Sequence, residues 1–201
     1  MARVAGKDGR GAILDAAQKL FYEHGLEAIS VEAIAAQAGV TKKALYYHFP
    51  SKHDLVLAYL DAVGEPVLAM LCGMVQRNAA PGVHPYACLL EGLRKWLKSG
   101  RFHGCIFMRA ARSHPDDPKV LDVALRHKDT FLHWLESLAA QAGSRQPQQL
   151  AAAFRLLLDG ILAAGNLYDT DTLMDTAQQT LSALLASDLT ATTPPHKAKE
   201  T

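Results

Sequence analysis

The chain has 201 residues, enough for one ordinary domain or two small ones, and 49% of them are apolar, which supports a packed core and excludes a disordered chain. Its 21 basic and 20 acidic side chains nearly cancel, so attraction to nucleic acid must come from a local patch if it exists at all. No apolar run is read as reaching the length of a membrane span, and the N-terminus lacks a signal-peptide core, so the expected location is the cytoplasm, without a membrane partner. There, three widely spaced cysteines, Cys72, Cys88 and Cys105, fit neither a metal spacing nor a disulfide framework and are read as reduced thiols.

Residues 1–8 are small, polar and mildly basic; Arg3 and Lys7 give an arm able to reach a minor groove, although an idle tail is the plainer reading. Ile13, Ala16, Ala17, Leu20 and Phe21 recur at helical spacing and predict a first helix from Arg10 to His24, stopped by Gly25 with Leu26 behind it. Ser30 is a good N-cap for a short helix over Val31 to Ala38, and Gly39 follows where only glycine turns left-handed cheaply. Val40 fills the apolar gap, Thr41 caps the next helix, and Leu45 on that helix turns back toward Ile34 and Ala38. A turn this tight between two short helices is the spacing of a helix-turn-helix.

The outward face of the second helix carries Lys42, Lys43, Tyr46, Tyr47 and His48, and from Thr41 through His53 there is no Asp or Glu to repel a phosphate backbone. Lysines and a helix N-terminus suit phosphates; tyrosine adds a hydroxyl and a flat ring for sugars or thymine methyls. The expected DNA contacts are Thr41, Lys42, Lys43, Tyr46, Tyr47, His48 and Lys52. Lys42 or Lys43 is expected to read a base, because the N-terminal part of a recognition helix enters the groove. His48 has a structural alternative, packing under Phe49.

The run Gly39-Val40-Thr41, then Leu45-Tyr46-Tyr47-His48-Phe49, then Ser51-Lys52 and Leu55, resembles the DNA-binding domain of tetracycline-repressor-like (TetR/AcrR) regulators. Ala12 to Leu26, with Phe21 and Gly25, is similar to that family's first helix. The resemblance covers roughly the first 60 residues; beyond them it extends only to helicity, as in the family's variable effector domain. It implies a dimeric regulator of double-stranded operator DNA.

Ser51-Lys52-His53-Asp54 reads as a capping-box-like start of a long fourth helix, with Pro66 expected to kink it and Val67 to Val75 continuing its apolar stripe. Further helices are predicted over Tyr86 to Lys98, in the segment Gly104 to Arg112, from Asp117-Pro118 to Ala142, over Gln148 to Gly165 and over Asp171 to Ala186. From Asp188 onward the chain reads as a disordered tail. The fold class is all-α: a three-helix DNA-binding head in residues 1–54, a helical-bundle effector and dimerisation domain in residues 55–187, and the tail in residues 188–201.

The last two helices carry more apolar surface than one core can take, and the simplest partner is a second copy of the chain. Phe154, Leu157, Ile161, Ala163, Ala164, Leu173, Ala177, Leu181 and Leu184 are the expected seam. Met70, Met74, Trp96, Phe107, Met108, Phe131, Trp134 and Phe154 are candidates for a ligand cavity, with Arg109, Asn166 and Tyr168 as polar anchors. The plainer reading of such a set is core, and of Arg109 a pairing with Asp159 or Asp122. No nucleophile elbow, phosphate loop or HExxH motif appears, so neither an enzyme nor a cofactor or metal is expected.

These readings converge on a ligand-responsive transcriptional regulator, read as a repressor, that binds a pseudo-palindromic operator as a homodimer and is released by a small, mostly apolar effector. The alternative is a helical small-molecule-binding protein or enzyme whose head no longer reads DNA.

Overall fold

The computed structural model describes residues 9–190, so the basic arm around Arg3 and Lys7 lies outside the described residues. Among the described residues every regular element is helical: α1 (Gly9–His24), α2 (Val31–Ala38), α3 (Lys42–His48), α4 (Lys52–Arg77), α5 (Pro85–Lys98), α6 (Ile106–Ser113), α7 (Pro118–Gln141), α8 (Pro147–Ala164) and α9 (Thr170–Thr190). They form two compact units, residues 9–69 with 103–128 and residues 70–102 with 129–190. The unit that holds the head is therefore larger than residues 1–54, because the first half of α4, all of α6 and the start of α7 pack with it.

In the first unit, local chemistry sets the short helices. Ile13, Ala16, Ala17 and Phe21 are the buried stripe of α1, which ends as the Gly25 N–H reaches the Phe21 carbonyl at 2.9 Å. Leu45 of α3, Ile34 of α2 and Leu55, Tyr59 and Leu60 of α4 share one core with Ile106, Phe107 and Ala110 of α6 and Val120 of α7. Burying a side chain of this size contributes about 1.5–3 kcal/mol. Ser51 caps α4, its hydroxyl accepting the Asp54 N–H at 3.0 Å and donating to the Asp54 carboxylate at 2.7 Å.

α4 continues unbroken through Pro66. It is long and apolar enough to cross a membrane by length and composition, which corrects the sequence reading that no such run exists. Its apolar residues are nevertheless in use as core: Leu55, Val56, Tyr59, Leu60 and Val63 in the first unit and Met74 in the second. Farther along, α4 meets α7 closely. The His127 ring sits so near Gly64 that a Cβ there would lie 1.8 Å from Cε1, and the ring stacks on Phe107 at 4.5 Å.

The second unit is built around Tyr86 of α5, which stacks on Phe154 of α8 at 3.9 Å and donates its hydroxyl to the Leu135 carbonyl of α7 at 2.8 Å. Arg94 of α5 reaches Asp171 at 2.8 Å and Asp175 at 2.6 Å on α9. The expected tail begins too early: α9 runs on to Thr190, because Asp188 is engaged. Its carboxylate accepts from the Ser144 hydroxyl at 2.8 Å and from the backbone N–H groups of Arg145 at 3.2 Å and Gln146 at 3.0 Å, at the entry to α8. The rest of the expected tail, residues 191–201, lies outside the described residues.

Candidate nucleic-acid interface

Three local devices hold α2 and α3 in the geometry of the motif. The Ser30 hydroxyl accepts the Ala33 N–H at 3.1 Å, and the Thr41 hydroxyl accepts the Ala44 N–H at 3.1 Å. Between them Gly39 takes φ of 68°, which lets its own N–H reach the Ala36 carbonyl at 3.1 Å and the Val40 N–H reach the Ala35 carbonyl at 2.9 Å. A side chain at Gly39 would be strained in that left-handed conformation. Leu45 is fully buried, so the opposite side of α3 faces outward.

That outward side holds Thr41, Lys42, Lys43, Tyr46 and Tyr47, all exposed, with Tyr47 the most open at 84%. Lys43 makes no ion pair among the described residues. Lys42 does: its ammonium pairs with the carboxylate of Glu32, in the first turn of α2, and lies 5.8 Å from the centre of the Tyr46 ring. The hydrogen bond from Lys42 holds the Glu32 carboxyl below the usual carboxylate range, and the same contact raises Lys42. Both groups are solvent-exposed, so salt screens the pair.

Two of the expected contact residues have structural work as well. His48 is half-buried, edge-on to Tyr47 at 5.3 Å, with its Nε2 3.1 Å from where a Cβ on Gly9 would stand. It packs against the start of α1, and the Phe49 ring carries Arg10 at 5.2 Å. Lys52 is half-buried and donates to the Glu27 carbonyl at 3.2 Å, which ties the start of α4 to the loop between α1 and α2.

The residues proposed for a ligand cavity do not form one set. Phe107, Met108 and Arg109 belong to the first unit, and Met70, Met74, Trp96, Phe131, Trp134, Phe154, Asn166 and Tyr168 to the second. Phe154 and Met74 are buried core, Trp96 sits edge-on to Phe102 at 4.9 Å, and Phe131 lies 5.7 Å from Trp134. Asn166 and Tyr168 are exposed in the connection between α8 and α9, Tyr168 at 65%. Arg109 pairs with neither Asp159 nor Asp122: its guanidinium donates to the backbone carbonyls of Tyr22 at 2.8 Å and His103 at 3.0 Å. Asp122 is taken by Arg126 instead.

Phe154, Ile161, Ala177 and Leu181 are each no more than 2% exposed within a single chain and serve its own core. Leu157, Ala164, Leu173 and Leu184 are half-buried and Ala163 is exposed. Periodicity assigned the stripes of α8 but not their direction. The open one runs through Leu156, at 67% exposure, Gly160, with open space at its Cβ position, and Ala163, with Leu167 at 79% just beyond the helix. Sequence reasoning missed Glu32 and Asp188, whose partners are ten and more than forty residues away.

Residues 13–59 match the family model described as bacterial regulatory proteins, tetR family. The chain is 41% identical over 59 residues to the HTH-type transcriptional regulator TtgR of Pseudomonas putida, covering 29% of this chain and 28% of that protein. It is 27% identical over 129 residues to the HTH-type transcriptional repressor BdcR of Escherichia coli, covering 63% and 64%. The matched segments thus span less than two thirds of these relatives. Among solved structures, SCO4454, a TetR-family transcriptional regulator from Streptomyces coelicolor, aligns over 90% of both chains at 29% identity with a TM-score of 0.78. The matched segment contains α2, α3 and most of α1, so the head of the chain matches the tetR family of bacterial regulatory proteins, and the structural likeness to SCO4454 runs on through the helices that follow.

Proposed function

We propose that the chain is a ligand-responsive transcriptional repressor that acts in the cytoplasm and binds double-stranded operator DNA as a homodimer. The observation that carries this reading is the outward face of α3: exposed lysine and tyrosine side chains, free of acids from Thr41 to His53, on a helix fixed by the Thr41 cap and the Gly39 turn. Lys43 is the base reader, Tyr46 and Tyr47 supply hydroxyls and ring faces, and Thr41 brings the start of α3 to a phosphate. Two such helices in a dimer meet successive major grooves about 34–36 Å apart. The dimer forms through the open stripe of α8, Leu156, Gly160 and Ala163, where small residues allow close approach. An apolar effector held by half-buried Met70, Trp96, Phe131 and Trp134 of the second unit shifts DNA binding only by its differential affinity for the two states. Selection of bound duplexes from a random pool, repeated across salt concentrations, tests the reading: a pseudo-palindromic consensus with steep salt dependence supports it, and no enrichment ends it.

A further inference from the structure

The acid-free surface of α3 has an acid beside it. Glu32 stands ten residues before Lys42, on a different helix, yet its carboxylate pairs with the Lys42 ammonium. The contact brings a negative group to the N-terminal end of the recognition helix, the part that enters a groove. A lysine with a resident counterion differs from a bare one. Neutralising a phosphate releases a condensed cation and gains affinity, but Lys42 must first give up Glu32, and the uncovered carboxylate then faces the phosphates. Lys42 therefore adds little net charge to the encounter, whereas Lys43 keeps its own.

We propose that Glu32 is a specificity-determining residue of this head: by holding Lys42 as an internal ion pair it removes one phosphate-directed charge from binding to any duplex and leaves discrimination to base edges. The inference rests on the DNA-binding reading above. On arbitrary DNA nearly all affinity is phosphate contact, so each freed charge counts in full. On a cognate site base contacts fix the register of α3, and a freed Lys42 has less liberty to find a phosphate. Releasing Lys42 thus strengthens binding to random duplex more than binding to the operator.

The test measures fluorescence anisotropy of the full chain on a selected operator duplex and on a random duplex of equal length, from 50 to 200 mM salt. Wild type, Glu32→Gln and the double variant Glu32→Gln with Lys42→Met are compared, with helical content checked by circular dichroism. Glu32→Gln is expected to bind random duplex several-fold tighter at low salt, and to lose about three- to fourfold more affinity than wild type across that salt range, the effect of one added phosphate contact. Its operator-to-random ratio falls, and the double variant returns toward the wild-type salt slope. A Glu32→Gln protein with unchanged affinity and slope on random duplex overturns the proposal, as does a gain that survives removal of Lys42. If wild type itself shows no salt-dependent DNA binding, the DNA-binding reading fails and this inference with it; if wild type selects an operator but Glu32→Gln matches it in every respect, only the inference about Glu32 fails.

Discussion

The two units spend the same residue types differently. In the first, Tyr46 and Tyr47 stand in solvent beside lysines; in the second, Tyr86 is fully buried, stacked and hydrogen-bonded, and Phe154 is sealed beneath it. The first unit's short helices are fixed by contacts three to five residues apart: Ser30 to Ala33, Ala35 to Val40, Thr41 to Ala44. The second unit is fixed by contacts such as Tyr86 to Leu135, Arg94 to Asp175 and Ser144 to Asp188, which join residues more than forty apart. The exposed rings of Tyr46 and Tyr47 depend on local caps that hold α3 with that face outward, whereas Tyr59 of the first unit and Tyr86 of the second are core.

The sharpest way to break this comparison is to place a charge on each side of the bundle of α8 and α9. Leu181→Arg buries an unpaired charge in the core of the second unit and is expected to cost several kcal/mol, enough to unfold it. Leu156→Arg, on the exposed stripe of α8, is expected to leave the thermal transition within a few degrees of wild type and to split the proposed dimer. Calorimetry and sedimentation separate the two. A folded Leu181→Arg monomer would return Leu181 to the seam, and a dimeric Leu156→Arg would remove α8's open stripe from it.

A smaller effect belongs to the first unit, where α4 and α7 meet closely at Gly64. Gly64→Ala drives a methyl group into the His127 ring, and the stack on Phe107 limits how far that ring can retreat. The expected loss is about 1–3 kcal/mol of stability by urea denaturation. A neutral result would mean that the imidazole swings aside at no cost. Lys43→Ala, of similar size but on another readout, is expected to lose about 1–3 kcal/mol of operator affinity and to relax one operator position, while the melting temperature stays unchanged. Equal losses on operator and random duplex would make Lys43 a phosphate contact.

The same contrast explains what could be read from the chain alone. Helix limits in the head follow from Ser30, Gly39, Thr41 and Ser51, because cap chemistry is local and sequence displays it. The apolar stripes of α8 were visible too, but not which of them faces inward. Phe154, Leu158 and Ile161 and the set Leu156, Gly160 and Ala163 obey the same period, and only packing against α5 and α9 decides between them. Glu32 shows in the sequence only as an acid in the first turn of α2 and Asp188 only as the start of the tail, since nothing in their neighbourhoods along the chain names Lys42 or Ser144 as a partner.

The smallest predicted effects sharpen the distinction between local and distant closure. Thr41→Ala removes the cap of α3 and Asp188→Ala the distant cap at the entry to α8, each costing about 1 kcal/mol at neutral pH. Their pH dependence differs. Burial pushes the Asp188 carboxyl up, but the donors Ser144, Gln146 and Arg145 outweigh it and hold the group below its ordinary value. A carboxylate lowered on folding contributes stability that is fully present above its unfolded value, near 3.9, and lost as pH falls through the lower folded value. The gap in unfolding free energy between wild type and Asp188→Ala is therefore expected to hold from pH 7 down to about 4 and then to close. The Thr41 hydroxyl does not titrate in this range, so the Thr41→Ala gap stays constant wherever the head remains folded. Denaturation series on both variants at matched pH values read this directly, and a Thr41→Ala gap that closes in acid alongside that of Asp188→Ala would overturn the assignment of this pH dependence to the Asp188 carboxylate.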